Sequence, residues 1–194
     1  MLSPETPIIF ADGTEFYKKL AEKYIPHTRG FFILAPSGSG KTYYINSQKE
    51  KHWIDGDELW MAANAHPDNA WWTAGDAATS LREVDFRSDV ITYQAKKLGF
   101  WIMGASNLWL RPDAIVLPDW EQHKKYIASR QQGNYDGGAT TDKLQQVIHH
   151  RERIKQHAET EMPAFRSLDY DRSSVPSFNS IAEAADYLSS LSLS

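Results

Sequence analysis

The sequence predicts an α/β protein in which a parallel sheet of about five strands is covered by helices. Short apolar runs alternate with helical patterns along the chain, which is typical of strands joined by crossover helices. The first apolar run, residues 31–34, breaks into a glycine- and serine-rich loop, and a helix-compatible segment follows. The 194 residues suffice for one core, so we assign residues 1–194 to a single domain.

The individual elements follow from apolar runs, helical spacing and glycine or proline boundaries. The predicted strands are residues 31–34, 52–54, 100–103, 114–117 and 166–169. The predicted helices are residues 12–24, 41–48, 58–65, 81–98, 118–130, 142–160 and 180–188. Residues 131–141 are rich in glycine and polar side chains, and we expect this segment to be flexible.

The composition excludes several classes of protein. No apolar stretch approaches the roughly 20 residues of a membrane span, and residues 1–10 lack the basic start of a signal peptide. The absence of cysteine removes disulfides and thiolate metal sites. We therefore expect no membrane partner and a cytoplasmic location, in the host cell if the protein is viral. With a net charge of -4, any nucleic-acid contact requires a local site, and the oligomeric state is left open.

The loop after the first strand matches the nucleotide-binding pattern G-x-x-x-x-G-K-[ST] except at its first glycine, which is Ala35. Gly38 and Gly40 can adopt φ values closed to other residues, so that backbone N–H groups turn inward around a β-phosphate. Lys41 can reach the β- and γ-phosphates, and the Thr42 hydroxyl can bind Mg²⁺. We predict ATP and Mg²⁺ as cofactors, with contacts from Pro36, Ser37, Gly38, Ser39, Gly40, Lys41 and Thr42. The alternative is a glycine and serine turn that happens to precede Lys-Thr.

Two carboxylates, Asp55 and Asp57, end the second predicted strand. Because the carboxyl ends of parallel strands form the ligand crevice, we expect both beside the phosphate loop. One carboxylate there can accept the proton of an attacking hydroxyl, and its neighbour can orient magnesium-bound water. The alternative is an Asp-Gly-Asp turn that caps the next helix. The third predicted strand ends in Gly104 without an acid, which favours a small kinase over a motor ATPase or GTPase.

These residues resemble the small P-loop kinases that act on hydroxyl groups, including shikimate, gluconate and adenylylsulfate kinases and the kinase domain of polynucleotide 5′-kinases. The resemblance implies a nucleoside-monophosphate-kinase-like P-loop fold with a lid, for which residues 131–141 are the candidate. It implies that Asp57 is the catalytic base and that Asp55 lies nearer the metal with Thr42. Arg130 resembles the arginine that opens the lid, and Asn107 belongs to a segment similar to the Thr-Asn-Leu of polynucleotide kinases.

Positive charge for the transferred phosphoryl group is expected from the lid and the helix beyond it. We predict that Arg130 and Arg151 contact the nucleotide, and that Lys41 and Arg130 are catalytic together with the two aspartates. We expect His149 and His150 to lie on the surface, because adjacent helical residues point about 100° apart and rarely share a metal ion.

The acceptor is predicted to bind after the acidic pair, and Asp57 and Asn107 are among its predicted contacts. Trp60 stands where polynucleotide kinases usually have an arginine, and we expect Trp60, Trp71 and Trp72 to stack on a base. Arg82 and Arg87 are predicted to meet backbone phosphates. The alternative is that residues 66–72 form a loop packed on the sheet. Trp53 and Trp101 lie in predicted strands, and we expect them in the core.

The expected function is an ATP- and Mg²⁺-dependent transfer of the γ-phosphate to a hydroxyl of a nucleotide or nucleic acid. One version resembles the phage kinases that phosphorylate 5-hydroxymethyluracil in DNA. A small-metabolite kinase of the shikimate or gluconate kind is the first alternative. A P-loop ATPase or nucleotide-binding module without an acceptor is the second.

Overall fold

The protein contains a five-stranded sheet in the order β2-β3-β1-β4-β5, with every neighbouring pair parallel. The computed structural model describes residues 15–62, 77–105, 110–134, 138–159 and 175–192. The strands are β1 Phe31–Leu34, β2 Trp53–Asp55, β3 Trp101–Gly104, β4 Ala114–Val116 and β5 Ser177–Phe178. The α/β class and the parallel sheet are therefore confirmed.

Helices cover both faces of this sheet. They are α1 Phe16–Lys23, α2 Lys41–Ser47, α3 Gly56–Ala62, α4 Ala77–Lys97, α5 Trp120–Gln132, α6 Leu144–Glu159 and α7 Ile181–Ser192, with a short 3₁₀ helix, η1, at Thr141–Lys143. None of the helices in the described ranges is long and apolar enough to cross a membrane.

Element ends differ from the predicted ones by a few residues, and two differences have physical causes. Helix α3 begins at Gly56, ahead of the predicted start, because the Asp55 carboxylate accepts a hydrogen bond from the backbone N–H of Asp57. The fifth strand of the sheet is Ser177–Phe178, whereas residues 166–169, where we predicted it, lie outside the described residues. This strand is two residues long, too short for a period-2 pattern to reveal.

The continuous apolar character of β1 reflects burial on both of its sides. Phe32 and Leu34 belong to a core cluster with residues of α1, α3, α4 and α6. Phe31 and Ile33 belong to a second cluster, on the other face, with residues of α2 and α7. Two tryptophans, Trp53 at 1% exposure and Trp101 at 5%, also lie in the core, as predicted.

The direction of the chain connections reverses beside the central strand, β1. The chain leaves β1 toward β2 at one edge of the sheet and leaves β4 toward β5 at the other edge, although β1 and β4 are neighbours. Where connections from neighbouring parallel strands diverge, a ligand crevice forms outside their carboxyl ends. The glycine-rich loop after β1 and the acidic residues ending β2 both lie on this side of the sheet.

Candidate functional site

The loop between β1 and α2 makes two left-handed turns at its glycines. The φ angles are 79° at Gly38 and 95° at Gly40, a region that other residues rarely adopt. A β-carbon at position 38 would lie 2.8 Å from Ile127 Cγ1, so helix α5 also requires a glycine there. At position 40 nothing lies within 4 Å of an added β-carbon, and space remains beside the loop. Ser39 Oγ is buried and has no hydrogen-bond partner in the described structure. Buried polar groups are usually hydrogen-bonded, so this hydroxyl is a candidate to bond a ligand.

Lys41 is buried inside this loop, with 7% exposure. Its ammonium donates hydrogen bonds to the carbonyl oxygens of Ala35 and Pro36, each at 3.0 Å. Burial lowers the pKa of Lys41 to about 8, while the carboxylates of Asp57 and Asp55 partly oppose this effect. The cation is thus held where it is poorly solvated, a position in which an anionic phosphate would stabilise it.

The acidic pair lies beside the loop, as its position after β2 predicts. Thr42 Oγ1 donates a hydrogen bond of 2.8 Å to Asp55 Oδ2, and Asp55 Oδ1 accepts one of 3.0 Å from the backbone N–H of Asp57. Asp55 therefore also caps helix α3, which the turn alternative predicted. The Asp57 residue is exposed. The described residues contain no group of three or more acidic or histidine side chains arranged to hold a metal. A hydroxyl and one carboxylate fit the few protein ligands that Mg²⁺ takes beside phosphates.

Arg130, in the last turn of α5, reaches the loop at Ser37. Its Nη2 donates to Ser37 Oγ at 3.3 Å and to the carbonyl oxygen of Ala139 at 2.9 Å. The backbone N–H of Ala139 also donates to Ser37 Oγ, at 3.2 Å. A β-carbon at Gly138 would lie 2.5 Å from that oxygen, so residues 138 and 139 pack directly on the loop. This part of the 131–141 segment approaches the loop between β1 and α2, and residues 135–137 lie outside the described ranges.

His123 is a site residue that the sequence analysis missed. It lies on α5, which begins after Asp119 caps it, and it has 0% exposure. Its Nε2–H donates to the carbonyl oxygen of Ser37 at 2.9 Å, and its Nδ1 accepts from Arg151 Nη1 at 2.9 Å. Burial and the charges of Arg151, Lys41 and Arg130 lower the pKa of His123. The spacing of Trp120, His123 and Ile127 along one helix face was the signal available.

Helix α6 places Arg151 next to His123 in this site. Besides its bond to His123, its guanidinium carbon lies 5.6 Å from the centre of the Trp120 ring. Stacking of this kind orients the planar fork of an arginine. The structure therefore brings both predicted lid-region arginines, Arg130 and Arg151, to the surroundings of Ser37.

His150 is partly buried and hydrogen-bonded to the backbone, so our expectation that it is an exposed surface residue was wrong. Its Nε2–H donates to the carbonyl oxygen of Ala105, just after β3, at 2.7 Å. Burial lowers its pKa to about 4, so the ring is neutral near pH 7. Its neighbour His149 is exposed. The face of α6 that turns toward the sheet carries His150, which the sequence alone did not reveal.

Trp60 belongs to the core, and its assignment to acceptor stacking was wrong. The side chain has 2% exposure, and its Nε1–H donates to Thr92 Oγ1 at 3.0 Å. Added β-carbons at Gly56 and Gly104 would lie 3.1 Å and 2.6 Å from its ring, so the indole fits beneath the ends of β2 and β3. Because α3 begins at Gly56, position 60 is one turn later and faces the sheet.

The remaining predicted acceptor residues stay predictions. Trp71, Trp72 and Asn107 lie outside the described residues. Arg82 and Arg87 both lie on α4, where Arg87 is partly buried. All the predicted nucleotide-binding residues thus lie in the described part of the chain, whereas three of the predicted acceptor-binding residues do not.

Comparison with known proteins finds no family model that matches the chain and no matching curated protein. Function is therefore inferred from the geometry and chemistry of the site.

Proposed function

We propose that the protein is a P-loop phosphotransferase of nucleoside-monophosphate-kinase-like fold, which uses ATP and Mg²⁺ and transfers the γ-phosphate to an alcohol. The observation that carries this proposal is the hydrogen bond between Thr42 and Asp55 beside the buried ammonium of Lys41. A cation, a hydroxyl and a carboxylate thus surround a glycine loop with two left-handed turns, at the carboxyl edge of a parallel sheet. Phosphate binding uses these groups.

In this proposal, the loop from Pro36 to Gly40 encloses the phosphates, which accept hydrogen bonds from the backbone N–H groups of residues 37–40 and from Ser39 Oγ. Lys41 neutralises the β- and γ-phosphates, and its own burial makes that contact favourable. Thr42 and Asp55 would hold Mg²⁺, which supplies positive charge to the β- and γ-phosphate oxygens when bound. Arg130 and Arg151 neutralise charge that develops during transfer.

Asp57 is the proposed base. Its residue is exposed in the first turn of α3, next to Asp55, which is the proposed metal ligand. The Asp57 carboxylate takes the proton of the acceptor hydroxyl while the hydroxyl oxygen bonds to the γ-phosphorus. The bond between that phosphorus and the β,γ-bridging oxygen breaks, and ADP leaves.

The acceptor we favour is a hydroxyl of a nucleotide or nucleic acid, including a hydroxymethylated pyrimidine in DNA. This choice rests on the resemblance of the sequence to polynucleotide kinases and on Trp71 and Trp72. The second candidate is a small metabolite, as in shikimate or gluconate kinases. It gains support from the burial of Trp60, which removes one of the three rings expected to stack on a base. An ATPase without an acceptor is the third.

A transfer assay tests the proposal. The full chain is incubated with γ-labelled ATP, Mg²⁺ and, in turn, oligonucleotides with plain or hydroxymethylated bases and a panel of hydroxylated metabolites. Label on an oligonucleotide is the expected result. Label only on a metabolite would contradict the nucleic-acid acceptor, and label released only as free phosphate would contradict the kinase.

Substitution of the proposed base sharpens this test. Asp57→Asn should reduce transfer by at least about 100-fold, since positioned general bases contribute about that much or more, and should change ATP affinity less than about twofold. Asp186→Asn, an exposed aspartate on α7, is the matched control and should leave both quantities unchanged. Full transfer by the Asp57 variant would show that another group is the base.

A further inference from the structure

We propose that His123 is a positioning residue that couples Arg151 to the phosphate loop, so that the arginine and the loop are organised together for nucleotide binding. This inference rests on the proposed function. The side chain of His123 connects α5, α6 and the loop, because one ring nitrogen bonds to Ser37 and the other bonds to Arg151.

The two bonds define one chemical form of the imidazole. A carbonyl oxygen such as that of Ser37 can only accept, and a guanidinium such as that of Arg151 can only donate. His123 must therefore carry its proton on Nε2 and keep the lone pair on Nδ1. Among the described residues, the charged groups that act on the ring are the cations Arg151, Lys41 and Arg130, and they disfavour a protonated imidazolium. No lysine or arginine could replace this residue, because neither offers an acceptor.

Helix α5 holds the phosphate loop at two consecutive residues. His123 binds the carbonyl oxygen of Ser37, and Ile127, one turn later, packs where a side chain of residue 38 would lie. Arg130, a further turn along, bonds the hydroxyl of the same serine. Helix α5 therefore holds the loop conformation in the ligand-free protein. The loop then loses less conformational entropy when a ligand binds.

The same histidine sets the direction of Arg151. One guanidinium nitrogen donates to His123 Nδ1, and the guanidinium lies over the Trp120 ring. An arginine has five N–H donors, so donors remain for a phosphate oxygen. An arginine held in place in advance loses less side-chain entropy on binding than a free one.

Asparagine and glutamine at position 123 each keep one of the two hydrogen bonds of His123 and remove the other. An asparagine oxygen occupies the place of Nδ1, so His123→Asn keeps an acceptor for Arg151 and loses the bond to Ser37. A glutamine nitrogen reaches the place of Nε2, so His123→Gln keeps the donor to Ser37 and loses the acceptor. Arg151→Met removes the guanidinium. His149→Gln, at an exposed histidine of α6, is the control.

The experiment measures the affinity for MgATP by calorimetry with the full chain. Arg151→Met should weaken binding about tenfold in the wild-type background and in His123→Asn, but less than about threefold in His123→Gln, where the arginine is already misplaced. Equal losses in all three backgrounds would overturn the coupling alone. Failure of the wild-type protein to bind ATP would overturn the proposed function and the coupling with it.

A second measurement needs no substitution at position 123 and applies even if those variants do not fold. Nitrogen-15 NMR of the histidine rings at neutral pH should show His123 with its proton on Nε2 and its lone pair on Nδ1. MgATP should shift the His123 signals and leave those of His149 in place. Arg151→Met should raise the pKa of His123, because a neighbouring cation is lost. A proton on Nδ1 of His123, or His123 signals that do not shift when MgATP is added, would overturn the proposal.

Discussion

Lys41→Met should stabilise the ligand-free protein and abolish ATP binding. The wild-type ammonium is buried, with 7% exposure, and its partners within hydrogen-bond distance are two loop carbonyls, those of Ala35 and Pro36. Methionine has a similar length and no charge, so it fills the same space without the desolvation cost. The phosphates, in contrast, lose the cation that is proposed to neutralise them.

The size of the effect follows from the pKa of Lys41, which burial lowers from 10.5 to about 8. Relative to the unfolded chain, the folded protein therefore disfavours the charged form of Lys41 by about 3 kcal/mol. Loss of the two bonds to carbonyl oxygens offsets roughly 2 kcal/mol of the gain from removing the charge. We expect the free energy of unfolding of the ligand-free variant to exceed that of the wild-type protein by about 1 kcal/mol at pH 7.

The pH dependence of the free energy of unfolding is an independent check, because the lowered pKa of Lys41 determines the direction of the change. Between about pH 8 and the ordinary lysine value of 10.5, the unfolded chain holds a proton that folded Lys41 has released. The stability contribution of this residue therefore rises with pH across that window, and the penalty is fully present below it. In the methionine variant this rise should be absent.

Urea denaturation at about pH 7 and about pH 10, with calorimetry for MgATP, measures both effects. Lys125→Met, at an exposed lysine on α5, is the matched control and should change neither stability nor binding appreciably. The reasoning is refuted if Lys41→Met destabilises the ligand-free protein by more than about 1 kcal/mol, or if the rise above pH 8 persists in that variant.

Three further predictions test other parts of the site. Trp60→Ala should lower the free energy of unfolding by about 3 to 5 kcal/mol in urea denaturation, because it leaves a cavity in the core. A variant that is as stable as the wild-type protein but binds the acceptor less tightly would instead support stacking of Trp60 on the acceptor. Thr42→Val should weaken MgATP binding at least about tenfold in calorimetry, since it removes a proposed metal ligand, and an unchanged Mg²⁺ dependence would contradict that assignment. Because the folded pKa of His150 is lowered to about 4, stability should fall as the pH drops from 6.5 through that value, by up to about 1.4 kcal/mol per pH unit. His150→Gln should flatten the denaturation profile in this window, and His149→Gln should not.

Two features of the site could be predicted because they depend on local pattern and on the general geometry of parallel sheets. The loop from Ala35 to Thr42 is recognisable from glycine spacing, since only particular residues permit its backbone. The contact between Thr42 and Asp55 follows from the rule that loops at the carboxyl ends of neighbouring parallel strands meet. Neither inference needs the orientation of a helix.

The α/β class, four of the five strands and the pattern of the glycine loop could be predicted from the amino-acid sequence. Three of these strands, β1, β3 and β4, are buried along their whole length and therefore appear as continuous apolar runs. The burial and the hydrogen-bond partners of Trp60, His123 and His150 became visible only in the folded structure. Each lies on a helix, where the residue type does not reveal which face meets the sheet or another helix. A polar ring such as His123 is buried when partners from other elements satisfy it, and those partners, Ser37 and Arg151, are distant in sequence.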